Sequence, residues 1–288
     1  MKKDCIIAIN NYMKNFLLFI FLFSITNVLL SQQGKATYSV KTSLGDDFKL
    51  NSRIPKQVAE RIKKGMSEPI LFELFFDQKQ SVYKMEEKLD SPQQGGNRMR
   101  WFSSWGKGGS QIVHSNLSSK VQTIQQELFG KLFLITDTLS SSKWKFTGKQ
   151  KKIGNYTAYE AQYSETQNII NMNFWSGRNN NPNNSPKTKD VEVSVWFTPE
   201  IPVSAGPSKY FGLPGLVLMV QDDKTMLICN EIKLNINEKI SLDTPKRGDV
   251  VTRYEFDEIQ KIKTEEMKIR FQNNRSGGGG NFRMKNTK

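Results

Sequence analysis

Few residues in this sequence have the type and spacing that catalysis needs. The single histidine, His114, lies in IVHSN with no neighbouring nucleophile, and any Ser/His/Asp or Cys/His arrangement would have to use it. Cys229 sits inside TMLICNEIKL, where strand alternation reads it as a small buried thiol. A zinc site would want several His or Cys ligands, which the chain lacks. The carboxylate pair Asp222-Asp223 in VQDDKT reads as a hairpin turn, and the EF-hand spacing is absent. GGGG at residues 277–280 opens no helix and so makes no phosphate cradle. Glu200, between Pro199 and Pro202, is the one carboxylate to watch, and a solvated rim position accounts for it better than a catalytic one. KWKF, residues 143–146, could offer ammonium groups to phosphate and rings to acyl chains, and also suits a half-buried strand with a solvated face. The chemistry left is aromatic and basic: no catalytic residue, no metal site and no cofactor is predicted.

Charge and leader narrow the class. The chain carries 42 Lys and Arg against 28 Asp and Glu, a net charge of +14. No zinc-finger, RNP or basic-zipper pattern accompanies this, so the expected partners are anionic lipid or acidic protein, and nucleic acid is excluded. Phe16–Leu30 is an uncharged run of 15 residues behind Lys14. It suits a secretory h-region and falls short of the roughly 20 apolar residues of a membrane span. A signal peptide is therefore expected over residues 1–31, starting at Met13 and cleaved after Ser31, with export to the periplasm or cell envelope. Cys5 precedes the apolar run and cannot be a lipidated cysteine after cleavage. Its loss would leave Cys229 without a disulfide partner, so packing must stabilise the mature chain.

The elements that must position these residues follow from periodicity. A short helix is predicted over Pro55–Met66. Phe72, Leu74 and Phe76 share one strand face, and Asp77–Gln80 reads as a hairpin turn. Residues 91–110 read as an irregular loop. LFGKLFLITDT, KWKFTGKQKKI, YTAYEAQY and VEVSVWF each read as a strand; Tyr159, Ala161 and Tyr163 share one side, as do Val191, Val193, Val195 and Phe197. GRNNNPNNSPKTK is an Asn-rich loop. In TMLICNEIKL, Met226, Ile228, Ile232 and Leu234 are placed on one face. Thr252 and Glu255 form a capping box before a helix striped by Phe256, Ile259 and Ile262. The expected fold class is α+β: one curved antiparallel sheet, a half-barrel or open sandwich, packed by a long C-terminal helix. It forms a single domain over residues 32–272, followed by a disordered Gly-rich basic tail over 273–288.

WFTPEIPVSAGPSKYFGLPGLVLMV, residues 196–220, is the most distinctive stretch. Pro214-Gly215 predicts a type II turn with Gly215 at positive φ, its apolar neighbours folded back as core. The stretch resembles the GLPGLI family of secreted bacterial proteins. Gly212-Leu213-Pro214-Gly215-Leu216 matches the naming motif, with Val217 in place of isoleucine. Trp196, Phe197, Thr198, Pro199, Glu200, Ile201, Pro202 and Gly206-Pro207 resemble its lead-in. SKWKFTGKQKKIGNYTAYEA resembles an upstream block through Trp144, Ile153 and Gly154, with Ala158 where many members carry cysteine, and YEFDEI resembles a later one. The resemblance implies an exported envelope protein and brings no established activity. It marks Trp196, Pro199, Tyr210, Phe211, Gly212, Leu213, Pro214, Gly215 and Leu216 as motif positions with a mainly structural role. The function expected is a non-enzymatic carrier for an apolar or amphiphilic ligand held in a cavity. The alternative is an accessory protein docking on an outer-membrane transporter or secretion complex. In either case the basic tail is a candidate contact with an anionic membrane surface.

Overall fold

The computed structural model describes residues 33–42, 56, 57, 60, 68–86, 111–139, 143–168, 188–236 and 241–276. Its strands are β1 (Gly34–Thr42), β2 (Ile70–Phe76), β3 (Gln80–Met85), β4 (Ile112–Asn116), β5 (Val121–Leu128), β6 (Lys131–Thr138), β7 (Lys145–Ile153), β8 (Tyr156–Asn168), β9 (Thr188–Thr198), β10 (Leu216–Gln221), β11 (Thr225–Leu234) and β12 (Asp249–Val251). A helix, α1, spans Arg253–Ser276. The strands form one sheet in the order β12-β6-β5-β4-β3-β2-β1-β11-β10-β9-β8-β7.

Local chemistry sets the hairpins. The Asp77 carboxylate accepts the N–H groups of Lys79 and Gln80 at 2.7 Å each, closing the β2–β3 turn. Asp222 does the same for Lys224 and Thr225 between β10 and β11. Between β5 and β6 the turn is just Phe129 (φ 52°) and Gly130 (φ 83°), both at the positive φ that a type I′ hairpin requires. Alternation then sorts the faces. Tyr38, Ala36 and Gly34 lie opposite Phe72, Leu74 and Phe76, and the same inner row continues through Tyr83, Val113 and Ile124 to Ile135. On the other arm Ala161, Val195 and Val220 pair in sequence, and both rows belong to one buried core.

The sheet is strongly curled. Gln122 of β5 donates to the carbonyl of Ser208, while the adjacent Lys209 pairs with Glu165 of β8. In a flat sheet those strands, eight places apart, would be separated by about 38 Å at about 4.8 Å per strand. Neighbouring residues can touch both only if the two arms bend toward each other.

The expected α+β class is corrected to mostly β. The sheet is mixed, because β12 runs parallel to β6. The helix touches the sheet through its first turns: Phe256 is buried against Phe133 with ring centroids 5.5 Å apart, and Ile259 is partly covered. Ile262, the third residue of the expected stripe, is 55% exposed. The physical reason is that residues 199–215 already cover the inner face the helix was expected to pack. The capping box is present, with Thr252 N–H donating to Glu255 at 2.8 Å and Glu255 N–H to Thr252 Oγ1 at 3.2 Å.

Two strand readings also change. LFGKLFLITDT holds the end of β5, the hairpin turn and β6, since Phe129 adopts positive φ despite its bulk. In β11 the stripe is split by a bulge: Tyr38 pairs with Cys229 and Thr37 with Glu231, leaving Asn230 unmatched. Leu227, Cys229, Ile232 and Leu234 consequently share the inner side, and Met226 and Ile228 face outward. Of the helix expected over Pro55–Met66, residues 56, 57 and 60 are described and are helical. The leader, the loop at 91–110, most of the Asn-rich loop and the tail after Ser276 lie outside the described residues.

Candidate functional site

The connection between β9 and β10, residues 199–215, folds over the inner face as a compact loop. Ile201, Val203, Ala205, Tyr210 and Leu213 are buried in it. Its backbone bonds to itself: Val203 N–H to Ile201, Ala205 N–H to Val203 and Gly215 N–H to Leu213, at 2.7–2.8 Å, are one-residue γ-type turns. Gly212 N–H reaches Ser204 at 3.2 Å, and Leu216 N–H reaches Ile201 at 3.0 Å, tying entry to exit. The sheet holds it as well. Tyr38 Oη donates to the Val217 carbonyl at 2.6 Å, and Trp144 Nε1 to the Phe211 carbonyl at 3.3 Å.

The type II turn expected at Pro214-Gly215 is not what forms. Pro214 centres a γ-type turn, while Gly215 has the positive φ expected of it, 159°, far from the roughly 80° of a type II turn. Glycine is needed there for closeness: a Cβ would sit 2.0 Å from the Thr198 carbonyl oxygen. At Gly206 it would sit 1.8 Å from the Tyr210 carbonyl oxygen. Of the motif residues, Tyr210, Leu213, Gly215 and Leu216 are buried, Phe211 is half-buried, and Pro199, Gly212 and Pro214 are exposed. Trp196 is on the opposite, outer face, so the structure does not bring the motif residues together around one ligand position.

Aromatic rings gather instead along the β7–β8 edge, on the inner side. Phe146 pairs with Ala161 and Tyr159 with Phe197, which puts these residues on one face. Phe146 meets Phe197 edge-on at 6.0 Å, and Tyr159 lies tilted 6.3 Å from the same ring. Trp144 stands edge-on to Tyr163 at 4.9 Å, extending the row. Phe197 is buried as its floor, while Phe146 is 62% and Tyr159 38% exposed. Lys152 pairs with Thr157 on the same face, and Lys143, Lys145 and Lys149 stand exposed along the edge. From Lys143 to Tyr159 the chain carries no acidic residue. The result is an open aromatic shelf with an ammonium rim. It can bind an apolar surface bearing negative charge, and it offers no nucleophile–base pair.

The remaining polar groups have structural partners. Glu160, on the outer face of β8, is buried, which raises its pKa. Contacts from Thr147, Lys149 and Ser194 outweigh burial and hold the carboxyl below the usual range. Lys151 lies across the Trp196 indole with Nζ 3.9 Å from the ring centroid and 3.4 Å from Met219 Sδ, and burial lowers its pKa. Glu200 accepts the Thr157 N–H at 2.7 Å and holds the β7–β8 turn to the loop. His114 is buried on the outer face of β4 between Gln80, at 3.1 Å, and Thr244 of the segment joining β11 to β12. Burial pushes the Cys229 thiol up to about 12, consistent with an inert group packed against the core. Among the described residues no group of three or more His, Cys, Asp or Glu could hold a metal ion. KWKF was open to two readings, rings presented to acyl chains or a half-buried strand with a solvated face, and the structure leaves Phe146 open. A bulge follows between Phe146 and Gln150, with Gly148 at φ 77°, and its one signal was the glycine inside the strand pattern.

A family described as a protein of unknown function, Porph_ging, matches residues 144–219, which run from the shelf through the inner loop into β10. No curated protein matches the sequence. Among solved structures, one titled "Structure of PNGF-II in C2 space group" is similar with TM-score 0.46 and 13% identity, over 80% of this chain and 32% of that one. A second, "Structure of PNGF-II in P21 space group", gives TM-score 0.45 and 14% identity over 79% and 33%. The chain therefore spans about a third of the length of these structures.

Proposed function

We propose that this chain is an exported, non-enzymatic binding protein of the bacterial cell envelope, one of the GLPGLI proteins, that holds an amphiphile on the β7–β8 shelf. The observation that carries the reading is the exposure of Phe146 and Tyr159 over the buried Phe197 ring. This moves the ligand from a cavity inside the sheet to its rim, because the inner face is occupied by the buried side chains of the 199–215 loop. Covering the open halves of two rings supplies about 3 kcal/mol, and an exposed ammonium–anion contact adds about 0.2–1 kcal/mol. The sum corresponds to a dissociation constant in the low millimolar range, about 1–5 mM.

Titration of delipidated protein with a short-chain fluorescent fatty acid tests it. Saturable binding should be lost in Phe146→Ala/Tyr159→Ala while the far-UV spectrum is unchanged. Undiminished binding in that variant would remove the shelf from the account. Absence of binding in the wild type would favour docking on a protein partner through α1, whose Tyr254, Ile262 and Ile269 are exposed.

A further inference from the structure

Resting on that reading, we infer that the β7–β8 edge is a membrane-facing surface that seats on a leaflet rich in anionic headgroups. Phe146 and Tyr159 enter the interfacial layer, and the lysines around them lie over the lipid phosphates. Three features converge on this. The two open rings lie on one face of the same hairpin, so a single plane can meet both. Aromatic rings favour the headgroup level, where an apolar body and a polar environment meet. Lys152 shares the face of the rings, and Lys145, opposite Gln162, flanks the same edge strand from its outer side; among the described residues no carboxylate pairs with Lys143, Lys145 or Lys152, while Lys149 is held by Glu160. Residues 143–159 contain no Asp or Glu, and the Glu200 carboxylate that reaches the turn is engaged by the Thr157 N–H at 2.7 Å. Among the described residues β7 is also the last strand of the sheet, with no other strand on its outer edge. A second strand adding there is the less suitable occupant, because the bulge at residues 146–150 interrupts the ladder and lysines line the edge. A flat anionic surface needs no regular ladder. This contact is separate from the basic tail and acts from the folded domain.

The test is sedimentation with large vesicles of phosphatidylcholine alone or mixed with phosphatidylglycerol. The full chain should partition at least about tenfold more strongly onto the anionic vesicles at about 0.1 M salt and be released at about 1 M, where the screening length falls to about 3 Å. Each rim lysine near the surface contributes a factor of about five, so Lys145→Gln/Lys152→Gln should weaken partitioning about 30-fold. Lys79→Gln, on the β2–β3 turn, should leave it unchanged. Phe146→Ala/Tyr159→Ala should bind anionic vesicles more weakly with the salt dependence retained. Equal partitioning onto neutral vesicles, or full binding by the double lysine variant, would overturn the inference. The fatty-acid titration separates the two ideas: Phe146-dependent binding of the soluble acyl chain without vesicle binding refutes the membrane surface and keeps the binding reading. Failure of both refutes both.

Discussion

Gly215→Ala should destabilise the protein by about 2–4 kcal/mol without altering what the shelf binds. The new methyl would lie 2.0 Å from the Thr198 carbonyl oxygen, 2.5 Å from its carbonyl carbon and 2.9 Å from Pro199 Cα. All three are backbone atoms, so no side chain can rotate away. The end of β9 and the start of β10 must move apart where Leu216 pairs with Thr198. Overpacking of this kind costs about 1–3 kcal/mol, and disturbing the Leu216 N–H to Ile201 bond adds about 0.5–1.5 kcal/mol. For a chain of this size that is about 5–12 °C in Tm. Pro214→Ala is the control next door: the residue is exposed, and its loss acts on the unfolded chain by about 0.4–1 kcal/mol. Urea unfolding followed by tryptophan fluorescence would rank the two. A Gly215→Ala protein within about 0.5 kcal/mol of wild type, or one that keeps its stability and loses acyl binding, would refute the reasoning that this loop is core.

Leu213→Ala, at a side chain 1% exposed, should cost about 2–5 kcal/mol in the same assay. Burial pulls the His114 pKa below its ordinary value of about 6.5, with Asp77 opposing more weakly, so the unfolded chain takes up the proton first as pH falls. Stability from this group is therefore complete above about pH 6.5 and lost as pH falls through the folded pKa; the urea midpoint should drop between about pH 7 and 5, less so in His114→Gln. Thr252→Ala removes the cap of α1 and should lower stability by about 1 kcal/mol, read as a loss of helical signal on mild heating. Cys229→Ala should leave acyl binding intact, since the half-buried thiol lies opposite Tyr38, away from the β7–β8 shelf.

Periodicity of two exposed much of the sheet to sequence reading: Phe72, Leu74 and Phe76, and Val193, Val195 and Phe197, occupy the buried face they were assigned. The hairpin at Asp77 and the capping box were also legible, because a carboxylate or hydroxyl three residues from its backbone partner is a local signal. Non-local choices were not. Nothing in a strand pattern says that β12 returns to lie beside β6, since that pairing depends on the long connection after β11. The helix misled because a stripe of Phe256, Ile259 and Ile262 shows an apolar side without showing which surface is vacant. That surface was taken by residues 199–215, whose apolar content was recognised as core but not as the layer that covers the inner face. The candidate site was legible in composition, as aromatics and lysines in KWKF, and hidden in exposure. Whether Phe146 is covered depends on β7 being an edge, which is a property of the assembled sheet.

Photolabelling tests the shelf most directly. The delipidated protein would be equilibrated with a diazirine-bearing fatty acid, irradiated and mapped by peptide mass spectrometry. The account predicts adducts on Phe146, Tyr159 and the neighbouring β7–β8 residues, competed away by unlabelled fatty acid. Adducts concentrated on Tyr38, Ile201, Leu213 or Tyr83 would contradict it, because they would place the acyl chain inside the sheet where the 199–215 loop now packs.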